Sequence, residues 1–175
     1  MLSHQERRGP EMKAKRLTTS ALLTAIALTI FVAEAQIPPP VPVPGMKLGL
    51  ANIVTVYAMF ALGPGDTLMI LLARIILGSL FAGGSTFFYS LAGGLLCYLS
   101  MLFLRKILTV RQLWVCGAIG AIFHNLGQMG VAVLIARTPQ LVLYLPVLLI
   151  VGILAGALTG LAAQLLLARL SKLPK

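Results

Sequence analysis

The chain has 175 residues, 59% of them hydrophobic and only 10% charged. A soluble domain carries about 45–50% apolar and about 25% charged residues, so this composition, with a mean hydropathy of +0.98, excludes a soluble globular fold and makes the bilayer the solvent. The net charge is +10, from 14 Lys and Arg against 4 Asp and Glu; the basic residues flank apolar stretches, as membrane topology requires, and form no stripe interleaved with aromatics, so nucleic acid is not an expected partner.

At about 20 residues per span plus loops, the length suits a single bundle of about five to seven helices. Residues 1–16 are polar and basic, with Arg7, Arg8, Lys13, Lys15 and Arg16. They read as a disordered tail, within which Met12 is a second candidate start. Leu17–Gln36 is the first apolar span. Its basic flank and the run Ala33-Glu-Ala35 resemble a signal peptide, but the span is long for one and the rest of the chain is equally apolar, so a retained helix is expected. Ala21 and Ala25 lie four apart on one face, a spacing that lets another helix approach closely.

Pro38-Pro-Pro-Val-Pro-Val-Pro44 cannot continue that helix. Its prolines remove backbone donors and fix φ, so the chain runs extended. Gly45 and Gly49 then allow turns and close approach, and Lys47 sets a positive charge at the mouth of the next span. A stiff connector of this kind reads as a lid, Pro38–Lys47, over a site. The second span is Leu48–Leu62, with Asn52 one turn inside it. Gly63-Pro-Gly-Asp66 is a tight turn, and Asp66 is suited to cap the next helix. Thr67–Leu80 is the third span, with Arg74 near its middle.

A glycine-rich break, Phe81–Thr86, precedes the fourth span, Phe87–Leu104. Leu113–Ile135 is the fifth and carries His124-Asn125-Leu-Gly-Gln128. Leu141–Leu167 is the sixth, with an expected kink at Pro146 and a close-packing stripe at Gly152, Gly156 and Gly160. Residues 171–175 form a short basic tail. Cys97 and Cys116 match no metal or redox spacing and read as small packing residues.

Six spans over 17–170 put both termini on one side. That side receives Arg7, Arg8, Lys13, Lys15, Arg16, Arg105, Lys106, Arg111, Arg169, Lys172 and Lys175, and the other only Lys47 and Arg137. The asymmetry places the termini in the cytoplasm. The expected fold is therefore an all-α integral membrane protein, a six-helix bundle.

Ionisable groups inside a membrane cost about 2.5–3.5 kcal/mol each on insertion scales and persist where they face a cavity or a partner. Glu34, Asn52, Arg74, His124, Asn125 and Gln128 fall at similar depth on four spans beneath the proline connector. Of these, Asn52, Arg74, His124, Asn125 and Gln128 make with Lys47 a candidate ligand site, and its surplus of donors and positive charge suits an anionic or carbonyl-bearing molecule. The plainer alternative is a set of interhelical hydrogen bonds and one Glu34–Arg74 ion pair that only hold the bundle together. Enzyme motifs are missing. There is no phosphate-cradling Gly-x-x-x-x-Gly-Lys-Ser/Thr, too few His, Cys, Asp or Glu for a metal site, and no third group to orient Ser90 and His124 as nucleophile and base. No cofactor is expected.

Pro44-Gly-Met-Lys-Leu-Gly-Leu-Ala-Asn-Ile53 and Gly120-Ala-Ile-Phe-His-Asn-Leu-Gly-Gln-Met129 resemble the signature segments of the Gx transporter family, also labelled heptaprenyl diphosphate synthase component I. The resemblance covers roughly residues 12–170. That family is similar to the substrate-binding S components of energy-coupling factor transporters. The resemblance implies a six-helix, multi-pass protein of the bacterial cytoplasmic membrane. It further implies a first loop covering an outward-facing ligand pocket, and an alanine motif in helix one, matched here by Ala21 and Ala25, that docks on a coupling subunit served by ATPase subunits. The synthase label instead implies an accessory partner of a soluble prenyltransferase. Prenyl diphosphate synthases hold magnesium with Asp-Asp-x-x-Asp motifs, and this chain has one aspartate, Asp66, which cannot build such a site. A small-molecule ligand, isoprenoid- or quinone-related or otherwise anionic, and membrane lipid are the remaining expected partners.

Overall fold

A computed structural model describes residues 4–37 and 47–170, with side chains from Lys13 onward. The expected lid, apart from Lys47, and the C-terminal tail 171–175 lie outside the described residues. Among those described there is no strand. Six α-helices run in succession: α1 His4–Glu34, α2 Asn52–Ala61, α3 Pro64–Ala82, α4 Gly84–Leu104, α5 Leu113–Ala136 and α6 Leu145–Leu170. Short 3₁₀ turns, Val110–Gln112 and Pro139–Tyr144, lead into α5 and α6. α1 begins inside the segment read as a disordered tail.

Five of these stretches are long and apolar enough to cross a membrane, so the chain is a multi-pass membrane protein. α2 is not one of them. Its 10 residues extend about 15 Å, half of a hydrocarbon core of about 30 Å. The second expected span, Leu48–Leu62, is thus a half-length helix preceded by non-helical backbone. The reason is Gly49, whose φ of 83° lies in the left-handed region and interrupts the helix before it can start at Leu48.

Contacts between helices fix the direction of each. Arg16 at the start of the α1 span bonds Asp66 of α3 at 2.7 Å and the carbonyl of Leu62 at 3.3 Å. Tyr98 of α4 donates to the carbonyl of Pro64 at 3.2 Å, and Gly160 of α6 lies against Leu113 and Trp114 of α5. The first part of α1, the α2–α3 and α4–α5 junctions and the last part of α6 therefore share one end of the bundle. Lys13, Lys15, Arg16, Arg105, Lys106, Arg111 and Arg169 are exposed there, while Arg137 lies at the far end of α5. Asp66 does not cap α3. Gly63 is its N-cap and Pro64 its first residue, positions that cost no hydrogen bond, and Asp66 in the first turn is free to hold Arg16.

Side chains meet little helix–helix resistance because so many are missing. Gly156 of α6 faces the Gly117 carbonyl of α5, Gly160 faces that of Leu113, and Gly127 of α5 lies on the Ala92 carbonyl of α4. Backbone-to-backbone approach of this kind is how helices associate in lipid, where burial of apolar surface supplies no drive. Leu71, Ile75, Cys97, Met101, Leu113 and Cys116 fill the core at the basic end, and both cysteines are free thiols. Pro146, at which a kink within the span Leu141–Leu167 was expected, is instead the second residue of α6, where its lost N–H is an unpaired one anyway.

Gly156→Ala should lower the melting temperature of the purified protein, because the new methyl would meet the Gly117 backbone and Ala121 Cβ; overpacking of this order costs about 1–3 kcal/mol. Gly130→Ala, with nothing within 4 Å, should leave it unchanged or raise it by the helix-propensity gain of about 1 kcal/mol. Equal effects of the two would mean that the glycine stripe does not set the α5–α6 distance.

Candidate functional site

α2 begins inside the bundle, and its first N–H groups, those of Asn52, Ile53 and Val54, donate to the carbonyls of Gly49, Leu50 and Ala51, which leaves the N–H groups of that lead-in turn, of Gly49 and Leu50, to find partners elsewhere. No water is at hand in a bilayer core, and each unsatisfied group costs several kcal/mol. Glu34, the last residue of α1, meets this need. Its Oε1 accepts the Gly49 N–H at 2.6 Å and its Oε2 the Leu50 N–H at 3.0 Å. A carboxylate also complements the positive end of the α2 dipole. Gly49 has to be glycine for a second reason: a Cβ there would lie 2.8 Å from Asn52 Nδ2 and 3.1 Å from the His124 ring.

Lys47 precedes this turn. Its backbone N–H donates to Gln128 Oε1 at 3.3 Å. Its Nζ donates to the carbonyl of Phe31 at 3.3 Å and lies 3.2 Å from the centre of the Phe31 ring, a cation–π contact. Burial pushes the ammonium down to about 8, with the Glu34 carboxylate pulling it up and the Arg74 guanidinium pushing it down, which leaves it protonated at neutral pH. The Lys47 bond fixes the Gln128 amide, since an N–H can face only the amide oxygen. Gln128 Nε2 is then the atom 2.8 Å from His124 Nε2. Gln128 donates, the imidazole accepts, and His124 is held neutral with its proton on Nδ1, facing the Gly93 backbone. A charged imidazole would set two donors face to face.

Arg74 projects from α3 into the same place and is 3% exposed. A guanidinium has five donors, yet among the described residues this one makes a single long bond, Nη2 to Asn52 Oδ1 at 3.5 Å, and its Nε has no partner there. Among the described residues Arg16–Asp66 is the ion pair formed within 4.0 Å, so the Glu34–Arg74 pair of the plainer alternative is not made: the Glu34 oxygens are engaged by Gly49 and Leu50. Glu34, Lys47, Arg74, Ser90, His124 and Gln128 surround a cavity of about 10 Å³, room for about one water molecule.

Of the six residues expected to line a ligand site, Lys47, Arg74, His124 and Gln128 line this cavity, and Asn52 touches it through Arg74. Asn125 is turned away. It is fully buried, and its Nδ2 donates to the Leu148 carbonyl of α6 at 2.9 Å, in space opened by Gly152. One residue along a helix rotates the side chain by about 100°, which separates Asn125 from His124. Glu34 and Ser90 belong to the site although neither was assigned to it. The signal for Glu34 was its being the only acid within the apolar spans, next to a helix that could not begin on time. Ala21 and Ala25 lie on the outer surface of α1, in line with Thr29 and Ala33, and all four are exposed.

Glu34→Gln keeps the shape but offers one acceptor for two N–H groups. It should destabilise the protein by about 1–3 kcal/mol, read as a melting temperature lower by about 2–4 °C per kcal/mol, and Glu34→Asp, too short to reach both groups, should do the same. Unchanged melting of both variants would show that Glu34 does not hold the start of α2.

No curated protein and no solved structure matches the chain. The family model described as heptaprenyl diphosphate synthase component I matches residues 23–166. With the match running from the middle of α1 almost to the end of α6, and so over every residue of the cluster, the chain belongs to the heptaprenyl diphosphate synthase component I family.

Proposed function

We propose that this protein is a non-catalytic, substrate-binding membrane subunit, similar in role to the S component of an energy-coupling factor importer. In this reading it captures a small anionic or isoprenoid- or quinone-related molecule at the Arg74 cluster in the cell membrane. The observation that carries the reading is the buried, under-bonded guanidinium of Arg74 beside non-helical backbone. Irregular backbone is tolerated at membrane depth where it is enclosed by protein or lines a cavity, and half-helices with their N-termini at the midplane recur at transporter substrate sites. An ionisable side chain at that depth is a functional group by default.

The basic end of the bundle faces the cytoplasm by charge asymmetry, which leaves the opposite end, where Arg137 lies, on the outer side for an incoming ligand. The chain has no nucleotide-binding motif, so energy for release comes from separate ATP-hydrolysing subunits. The exposed line Ala21, Ala25, Thr29 and Ala33 is the face on which a coupling subunit docks, since small side chains allow the closest helix approach. A second reading is favoured by the family description: a membrane accessory of heptaprenyl diphosphate synthesis, serving a soluble prenyltransferase. Under it, too, this chain lacks the aspartates to hold magnesium and diphosphate.

Affinity purification from the native membrane separates the two readings. ATPase and coupling subunits should copurify, and Ala21→Trp and Ala25→Leu should abolish that recovery while leaving yield and melting temperature at wild-type values. Copurification of a prenyltransferase with no ATPase would establish the accessory role instead. For orientation, single cysteines replacing Val43 and Thr138 in a cysteine-free background should label from outside intact cells, and one replacing Ile107 should not. Labelling at 107 would invert the topology and remove the outer access route.

A further inference from the structure

The charges around the cavity do not balance. α1 contributes the Glu34 carboxylate, the connector contributes the Lys47 ammonium, and α3 contributes the Arg74 guanidinium. His124 of α5 is held neutral by Gln128, and neither α2 nor α4 carries an acidic or basic side chain. Two cations therefore share one carboxylate. That carboxylate is already committed to two backbone N–H groups. Lys47 is compensated by a carbonyl and a ring face. Among the described residues Arg74 has one amide oxygen at 3.5 Å and a buried Nε with none. An uncompensated charge in a low-dielectric interior is strongly unfavourable, and the deficit here is one negative charge.

We infer that the cavity between Arg74, Lys47 and the start of α2 takes one small monoanion, either a free halide ion or the carboxylate group of a larger ligand. Three observations converge on this ligand chemistry. The excess charge is a single unit, which disfavours a diphosphate or other polyanion. The free donors are those of a guanidinium, whose planar fork matches a carboxylate and whose weak hydration suits a halide. The space of about 10 Å³, that of about one water molecule, admits a single small ion or the leading atoms of a carboxylate, so any remaining body of a ligand lies outside it. The N-terminus of α2 adds a favourable dipole to the same point. This inference rests on the cluster being a ligand site, and it narrows the substrate class to molecules that present one negative charge at their buried end.

The test is thermal melting of the full-length protein in detergent at constant ionic strength, with sodium isethionate, a sulfonate with no carboxylate and too bulky for the closed cavity, replaced stepwise by chloride, bromide or formate. A saturable rise of about 3–6 °C at ten times the dissociation constant is expected. A rise with chloride and bromide identifies a free halide site, and a rise with formate alone identifies the carboxylate group of a ligand. Arg74→Gln should abolish the rise and, having lost an uncompensated charge, should melt in isethionate no lower than the wild type. Lys47→Met should weaken the response at least tenfold in anion concentration. Identical wild-type melting in all four anions would overturn the inference, as would a full response retained by Arg74→Gln or a large loss of its stability in isethionate. Those results would leave the copurification of ATPase subunits untouched, so failure of the anion site and failure of the transporter reading are separately visible.

Discussion

Non-helical backbone inside a membrane protein must find partners for its N–H groups, and in the turn that leads into α2 the Glu34 carboxylate provides them. Both oxygens are used, at 2.6 Å and 3.0 Å, by Gly49 and Leu50. Much of the site's arrangement depends on that pair of bonds. It ties the end of α1 to the start of α2 and carries Lys47 to Phe31 and Gln128. Gln128 in turn sets the tautomer of His124. It also takes Glu34 away from Arg74, leaving the guanidinium with the Asn52 amide oxygen at 3.5 Å. A stronger Glu34–Arg74 pair would have stabilised the bundle and closed the site to anything else.

The frame that holds this arrangement is built by subtraction. Glycines at 117, 127, 156 and 160 remove side chains where α4, α5 and α6 cross, so backbones meet and the helices have few alternative registers. That rigidity matters for His124 and Gln128, both on α5, whose positions across from Lys47 depend on where α5 sits against α4. Gly93 is part of the same fit, since a Cβ there would meet the His124 carbonyl and Nδ1 at 2.8 and 2.9 Å. Close packing also uses up Asn125, which serves as a bolt from α5 to the Leu148 carbonyl. The outer face of α1 is the contrast: Ala21 and Ala25 have comparably small side chains but are exposed.

Much of this was legible in the amino-acid sequence, because lipid leaves few solutions. Composition alone implied an all-helical membrane bundle, and the break points at Gly63, Gly83 and the Arg137–Gln140 turn were visible as glycine and proline punctuation. The glycine stripe on α6 reads directly as a four-residue repeat, and Arg74, His124 and Gln128 stand out as polar groups in apolar spans. Three things were hidden. The half-length of α2 depends on one left-handed glycine, Gly49, in a stretch whose hydropathy would suit a longer helix. The separation of Asn125 from His124 depends on which way α5 is rotated, and hydropathy does not fix rotation when a helix is apolar all round. The partner of Glu34 is backbone, and no side-chain inventory reveals a carboxylate bonded to main-chain N–H groups fifteen and sixteen residues away in the chain.

The whole cluster depends on Glu34 sealing the start of α2 inside the bundle. Hydrogen exchange at the Gly49 and Leu50 amides, resolved by NMR in detergent or nanodiscs, tests this at the atoms concerned. In the wild type both amides should exchange slowly, with protection like that of the α2 interior, although they lie in non-helical backbone. In Glu34→Ala both should exchange at least tenfold faster while amides in the middle of α5 keep their protection. Fast exchange of Gly49 and Leu50 in the wild type, or protection that survives the loss of Glu34, would contradict this role for the carboxylate.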